Sequence, residues 1–209
     1  MTRTRIKFCG ITRGEDARLA AQLGVDAIGL VCTRRSPRFL PPAQALAIRA
    51  QVPAYVSVVA LFMDDEAAWV REVEAVLRPD LLQFHGGEDA AFCTAFATPY
   101  VKTVAMGDAA DVPAIAAAHP YARGLLLDGH AAGVQGGSGQ RFDWTRVPRG
   151  LAMPVILAGG LDAGNVGAAI RGTRPWAVDV ASGIETSPGI KDPAKMRAFA
   201  AAVHATGSP

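Results

Sequence analysis

The sequence predicts an α/β protein, a single-domain (β/α)8 barrel over residues 1–209. Eight short apolar runs recur along it: RIKFCG, DAIGLVC, AYVSVVALFM, DLLQFHG, YVKTVAM, GLLLDG, PVILAGG and WAVDVASG. They are nearly continuous in apolar residues, as parallel strands covered on both faces are. Amphipathic stretches lie between them, and about 200 residues is the small end of the range for eight β/α units. The alternative architecture is an open doubly wound sheet. A dinucleotide-binding version would need GxGxxG after the first strand, and CGITRGEDA lacks it.

In chain order, the first run ends at Cys9 and leads through Gly10 to a helix over Glu15–Leu23. The second ends at Cys32, before the basic stretch TRRSPRFLPP, Thr33 to Pro42. After the third run Asp64 is placed to cap a helix over Asp65–Leu77. The fourth ends at His85, ahead of a helix over Glu88–Ala97, and the fifth precedes a helix over Val112–Ala118. Asp128 closes the sixth run, and His130 to Asp143 is too rich in glycine and polar residues to pack as an element. The seventh ends at Gly159 and Gly160, the eighth at Ser182 and Gly183. Asp192 then caps a helix over Pro193–Ala205, with Pro193 suited to the first helical position.

Composition narrows the function. Half of the residues are hydrophobic and 19% are charged, the balance of a compact protein and not of a disordered one. A net charge of +2, with no long basic run, gives no footprint for nucleic acid or a membrane. Cys9, Cys32 and Cys93 form no CxxC pair, which suits free thiols in a reducing compartment. MTRTRIKF carries no apolar secretory core, and no run approaches the roughly 18 to 20 apolar residues of a membrane span, so a cytoplasmic location is expected. The spacing of His119, His130 and His204 suggests no metal, and no cofactor is expected.

In such barrels the reacting groups sit at the C-terminal ends of the strands. Cys9 and Asp128 are the two strand-end groups best suited to proton transfer. Lys7 alternates to the same side as Cys9 and could supply a cation that lowers the thiol pKa from about 8.5. Cys9 also fits a buried structural thiol, and Asp128 also fits a cap on the segment after it. LAGGLDAGNV and VASGIETSPGIKDP end consecutive strands in glycine and small residues, which let backbone N–H groups approach a phosphate. Arg34, Arg35 and Arg38 could hold a carboxylate or phosphate, or form a solvated charged face. His85 fits an acid or base, a donor to substrate, or a histidine satisfied at a strand end.

Taken in order, KFCGITR, SPRFL, LLQFHGGE, LLLDG followed by GGSGQRFDW, PVILAGGLDAGNV and VDVASGIETSPGIKD resemble the phosphoribosylanthranilate isomerase family of tryptophan biosynthesis. The resemblance runs from Lys7 to Phe199 and implies a TIM barrel and a cofactor-free Amadori rearrangement. It implies Asp128 as general acid at the furanose oxygen and Cys9 as general base at C2′. It also implies that Arg38 holds the anthranilate carboxylate, with Lys7, Gln83 and His85 in the substrate pocket. Gly159, Gly160, Ser182, Gly183, Ile184 and Glu185 would surround the phosphate. Gly136 to Gly139 would form a loop over the site, Gly137 touching substrate, with Ser138 for the family's usual threonine and Gln140 for its commoner lysine.

The partner expected is thus a small phosphosugar, and the chain is expected as a monomer or homodimer. Two other functions compete. A bifunctional isomerase also serving histidine synthesis would carry an Asp base where strand one has Cys9, and a non-catalytic phosphate-binding barrel would not need both Cys9 and Asp128. A metal-dependent epimerase would need more convergent ligands than His85.

Overall fold

The computed structural model describes residues 3–107, 110–129 and 142–207. Eight parallel strands form a closed barrel: β1 (Arg5–Cys9), β2 (Ala27–Val31), β3 (Ser57–Phe62), β4 (Leu81–Phe84), β5 (Tyr100–Ala105), β6 (Leu125–Asp128), β7 (Val155–Leu157) and β8 (Ala177–Val180). Closure joins first to last, β1 lying parallel to β8 from Arg5 opposite Ala177 to Phe8 opposite Val180. The sequence expectation of a (β/α)8 barrel is met, and the open sheet is excluded.

Seven α-helices lie among the described residues: α1 (Gly14–Gln22), α2 (Pro42–Arg49), α3 (Ala67–Leu77), α4 (Ala90–Cys93), α5 (Val112–Ala118), α6 (Val166–Thr173) and α7 (Pro193–His204). A small antiparallel ribbon, β9 (Glu185–Ser187) with β10 (Ile190–Lys191), stands between β8 and α7. Asp192 caps α7 as expected, accepting from the N–H groups of Ala194 and Lys195. Asp64 does not cap α3: Glu66 occupies that position, while Asp64 adopts φ 54° and accepts from Gly87 N–H. The helix expected over Glu88–Ala97 shrinks to four residues. Asp89 takes the cap, and Glu88 turns back to accept from the backbone of Asp64 and Gly86 and from Lys102. Helices α2 and α6 occupy β/α units that the sequence predicts without bounds for the helix.

Strand alternation builds two apolar layers. Ile6, Phe8, Ile28, Leu30, Leu82, Phe84, Leu125, Leu127 and Val178 join helix residues such as Val70, Val73 and Phe199 in the main core. The inward positions Cys9, Val31, Val59 and Leu61 make a separate cluster inside the barrel, and Val101, Leu126 and Ala158 make another. Apolar side chains on both faces explain why the strands read as unbroken runs. The interior is not wholly apolar. Lys7, Gln83, Thr103, Asp128 and Asp179 are all buried, and they lie toward the C-terminal rim of the barrel, where a site would be built.

Candidate active site

Cys9, the last residue of β1, faces into the barrel opposite Gly29 of β2. A side chain at Gly29 would set its Cβ 2.8 Å from the Cys9 sulfur, so glycine is what makes room for the thiol. Behind Cys9, Lys7 Nζ donates to Asp179 Oδ1 at 3.0 Å, and both side chains are buried. The expected Lys7 cation is therefore in place, but the expected fall in thiol pKa is not. Burial pushes Cys9 up from its ordinary value, and Asp179 adds to the rise, against the opposite pull of Lys7 and Lys191. Burial also disfavours the Lys7 charge, but Asp179 and Cys9 more than offset it and hold Lys7 as an ammonium.

Gly10, next in the chain, turns at φ +71° and leaves space for Arg38 to lie across it; a Cβ there would meet Arg38 Cδ at 2.5 Å. Arg38 is buried and grips Glu185 with two parallel bonds, Nε to Oε1 at 2.9 Å and Nη2 to Oε2 at 2.6 Å. A guanidinium has five N–H donors, so this fork orients Arg38 without exhausting it. Arg34, by contrast, is exposed and stacks over Trp69.

Asp128 ends β6 and is buried, with Oδ2 3.5 Å from His85 Nε2. His85 Nδ1 lies 3.2 Å from both Gln83 Nε2 and Thr103 Oγ1, which fixes the ring at the end of β4. A cavity at the mouth of the barrel is lined by Cys9, Arg38, Gln83, His85, Asp128 and Asp179. A neighbouring recess is walled by Gly159, Gly160, Ser182 and Gly183, and shares Asp128, Asp179 and Ala181 with the cavity.

That recess exists because backbones approach closely. At φ +81°, Gly159 lies against Gly129 N–H and Asp128, and any Cβ on Gly183 would overlap the Leu161 carbonyl oxygen. Ile184 and Glu185, expected at the short helix start beside the phosphate, are the last residue and the C-cap of a single 3-10 turn, Ser182–Ile184, and neither walls the recess. The N–H of Ile184 bonds to Ala181 and that of Glu185 to Ser182, while the Glu185 carboxylate turns away to Arg38 and Lys191. Gly137, with the rest of Gly136 to Gly139, falls outside the described residues.

Asp179 and Lys191 escaped the sequence reading. Asp179 carried a usable signal: it is the one charge inside WAVDVASG, and in a closed barrel strand eight must lie beside strand one and Lys7. Lys191 lies within VDVASGIETSPGIKD, one of the stretches that carry the family resemblance, where the sequence reading gives it no role. Cys32 and Cys93 are buried, and burial pushes both thiols up to about 12. Among the described residues no cluster of His, Cys, Asp or Glu could hold a metal ion, and no helix is long and apolar enough to cross a membrane.

Comparison with known proteins gives this geometry a family. The family model described as N-(5′-phosphoribosyl)anthranilate (PRA) isomerase matches residues 6–202. The chain belongs to the PRA isomerase family. A relative from Stenotrophomonas maltophilia, called N-(5′-phosphoribosyl)anthranilate isomerase, is 53% identical over 199 residues, covering 94% of this chain and 91% of its own. The phosphoribosyl anthranilate isomerase of Thermotoga maritima superposes with a TM-score of 0.85 at 33% identity, covering 97% of this chain and 99% of that one. Another solved family member, in complex with reduced 1-(o-carboxyphenylamino)-1-deoxyribulose 5-phosphate, has a TM-score of 0.82 at 31% identity, with coverage of 97% and 99%.

Proposed function

We propose that this chain isomerises N-(5′-phosphoribosyl)anthranilate to 1-(2-carboxyphenylamino)-1-deoxyribulose 5-phosphate in tryptophan biosynthesis, with Asp128 as general acid and Cys9 as general base. The observation that carries the reading is the shared cavity. Cys9, Asp128 and Arg38 line one space that continues into a recess walled by Gly159, Gly160, Ser182 and Gly183, where glycine lets backbone approach an anion. The family's substrate has a carboxylate at one end and a phosphate at the other. Arg38 receives the carboxylate and the recess at Gly159, Gly160, Ser182 and Gly183 receives the phosphate, which leaves the ribose between the acid and the base. Such positioning lowers barriers by roughly 7 to 11 kcal/mol at best.

Asp128, protonated, gives its proton to the furanose oxygen as the C1′–O bond breaks and the anilino nitrogen forms a Schiff base with C1′. The Cys9 thiolate then removes the C2′ proton, and the electrons of that C–H bond become the C1′–C2′ double bond of an enolamine. Tautomerisation adds a proton at C1′ and releases the one on the C2′ hydroxyl, so the proton count closes and the ketone forms. Each transfer contributes typically about 10² to 10⁴ in rate. His85 and Gln83 flank the acid, and Lys7 with Asp179 supports the base from below. As in the solved relative that holds a deoxyribulose 5-phosphate derivative, the ligand is a small phosphosugar.

The test is the loss of anthranilate-type fluorescence when purified protein meets freshly made N-(5′-phosphoribosyl)anthranilate. Rapid loss is expected, with Cys9→Ala and Asp128→Asn each lowering kcat far more than they raise KM. A Cys9→Ala enzyme of near-normal kcat would remove the base assignment, and a wild-type protein without turnover would remove the function.

A further inference from the structure

We infer that Lys191 is a positioning residue: acting through Glu185, it fixes the end of β1 that carries Cys9 relative to Arg38 across the mouth of the barrel. This rests on Cys9 being the base proposed above. The side chain of Lys191 has no solvent exposure, although lysine is among the residues least often buried. Its Nζ donates to the Cys9 carbonyl at 2.5 Å, the Ala181 carbonyl at 3.2 Å and Glu185 Oε1 at 2.8 Å. An ammonium has three donors, and all three are taken.

The first of those bonds matters most. Cys9 is the final residue of β1, and the next residue turns at φ +71°. Holding the carbonyl of Cys9 sets the plane of its peptide, and with it the direction in which the Cα–Cβ bond sends the thiol. The second bond does the same at Ala181, immediately beyond β8 and on the wall of both the cavity and the recess. The third joins Lys191 to the carboxylate that orients Arg38. One unbroken line of bonds therefore runs from the backbone of Cys9 through Lys191 and Glu185 to the guanidinium of Arg38. The separation between the group that takes the C2′ proton and the group that holds the carboxylate is set by that line.

Burial weighs against the Lys191 charge and lowers its pKa, so the lysine is not there because an ammonium is cheap to bury. A role confined to the β9–β10 ribbon would be served as well by an apolar side chain of similar length.

The experiment compares Lys191→Met and Glu185→Gln with wild type in steady-state turnover, and maps iodoacetamide labelling of Cys9 against pH by mass spectrometry, with Cys32 and Cys93 as internal controls. Lys191→Met is expected to lower kcat about tenfold to a hundredfold, as a misplacement near 1 Å does, with KM within about threefold. Cys9 is faced by Lys7, Asp179, Arg38 and Lys191, and by His85 and Asp128 across the cavity. Loss of one cation is expected to move the labelling midpoint to higher pH while Cys32 is unmoved. Glu185→Gln, which slackens Arg38, is expected to raise KM about tenfold, and it decides the matter alone if Lys191→Met does not fold. Wild-type kcat in Lys191→Met with an unmoved labelling profile, or wild-type KM in Glu185→Gln, would overturn the inference. An active Cys9→Ala enzyme would instead overturn the base assignment, and the labelling midpoint would still report whether Lys191 governs the thiol.

Discussion

Replacing Gly29 with alanine adds a single methyl group inside the barrel, at the point where β2 passes Cys9. Its carbon would lie 2.8 Å from the Cys9 sulfur, 3.2 Å from Cys9 Cα and 3.2 Å from Leu61 Cδ1. The first contact is about 0.6 Å shorter than ordinary van der Waals separation, so the sulfur has to move by about that much. Backbone atoms of both strands are held in the parallel ladder, and Leu61 blocks the other side, so the side chain of Cys9 takes the displacement. Overpacking of this kind costs about 1 to 3 kcal/mol. For a chain of this size that lowers Tm by roughly 2 to 12 °C. The catalytic loss follows from geometry. A 1 Å misplacement costs about 10² in rate, and a shift near 0.6 Å is expected to lower kcat about tenfold while KM, set by groups away from Gly29, holds. Fluorescence turnover and thermal unfolding on the same preparation measure both. A Gly29→Ala protein with wild-type kcat would refute the claim that the thiol occupies the space glycine leaves.

Three further outcomes are expected. Because burial raises the Cys9 pKa, the rate at which iodoacetamide labels Cys9 climbs with pH through neutrality and on past about 8.5, the ordinary thiol value; a plateau reached by pH 7 would contradict this. Burial tends to raise the Glu185 pKa, but Arg38 and Lys191 outweigh it and hold it below the ordinary carboxylate value. Its contribution to stability is therefore full above about pH 4.3 and lost as pH falls through the lower folded pKa, and Glu185→Gln is expected to flatten that acid limb in urea titrations across pH. Phe84 packs edge-on or tilted against Phe92, Phe96 and Tyr100 on the helix side of the sheet, so Phe84→Ala is expected to cost about 3 to 5 kcal/mol in denaturant unfolding while kcat per folded molecule stays near wild type.

The barrel was legible because its strands are apolar on both faces, as parallel strands flanked by helices are, and because eight such runs recur within about 200 residues. The glycines after strands seven and eight were legible for a related reason: a close backbone approach needs glycine wherever it occurs. Boundaries that depended on a side chain choosing between two partners were not. Asp64 could have capped α3 but bonds to Gly87, and Glu88 could have begun a helix but serves Lys102 and two backbone N–H groups. The charged groups of the site were found one at a time and never as pairs. Arg38 and Glu185 were each singled out, yet they lie 147 residues apart, and nothing local says that one carboxylate engages both Arg38 and Lys191. For the same reason the lowered thiol pKa expected beside Lys7 failed: the depth of burial around Cys9 is a property of the closed barrel, not of strand one.

The seam between β1 and β8 also bears on how the protein comes into being. Asp179, which pairs with Lys7, and Lys191, which holds the Cys9 carbonyl, are made 172 and 182 residues after their partners. At typical synthesis rates that is a wait of roughly ten to forty seconds. During it the first strand has one neighbour, β2, and an open edge on its other side, with the thiol and Lys7 unpaired. No fragment that stops short of the ribbon carries a finished site, however much of the barrel it has folded. The site is finished only once strand eight and the ribbon have been made.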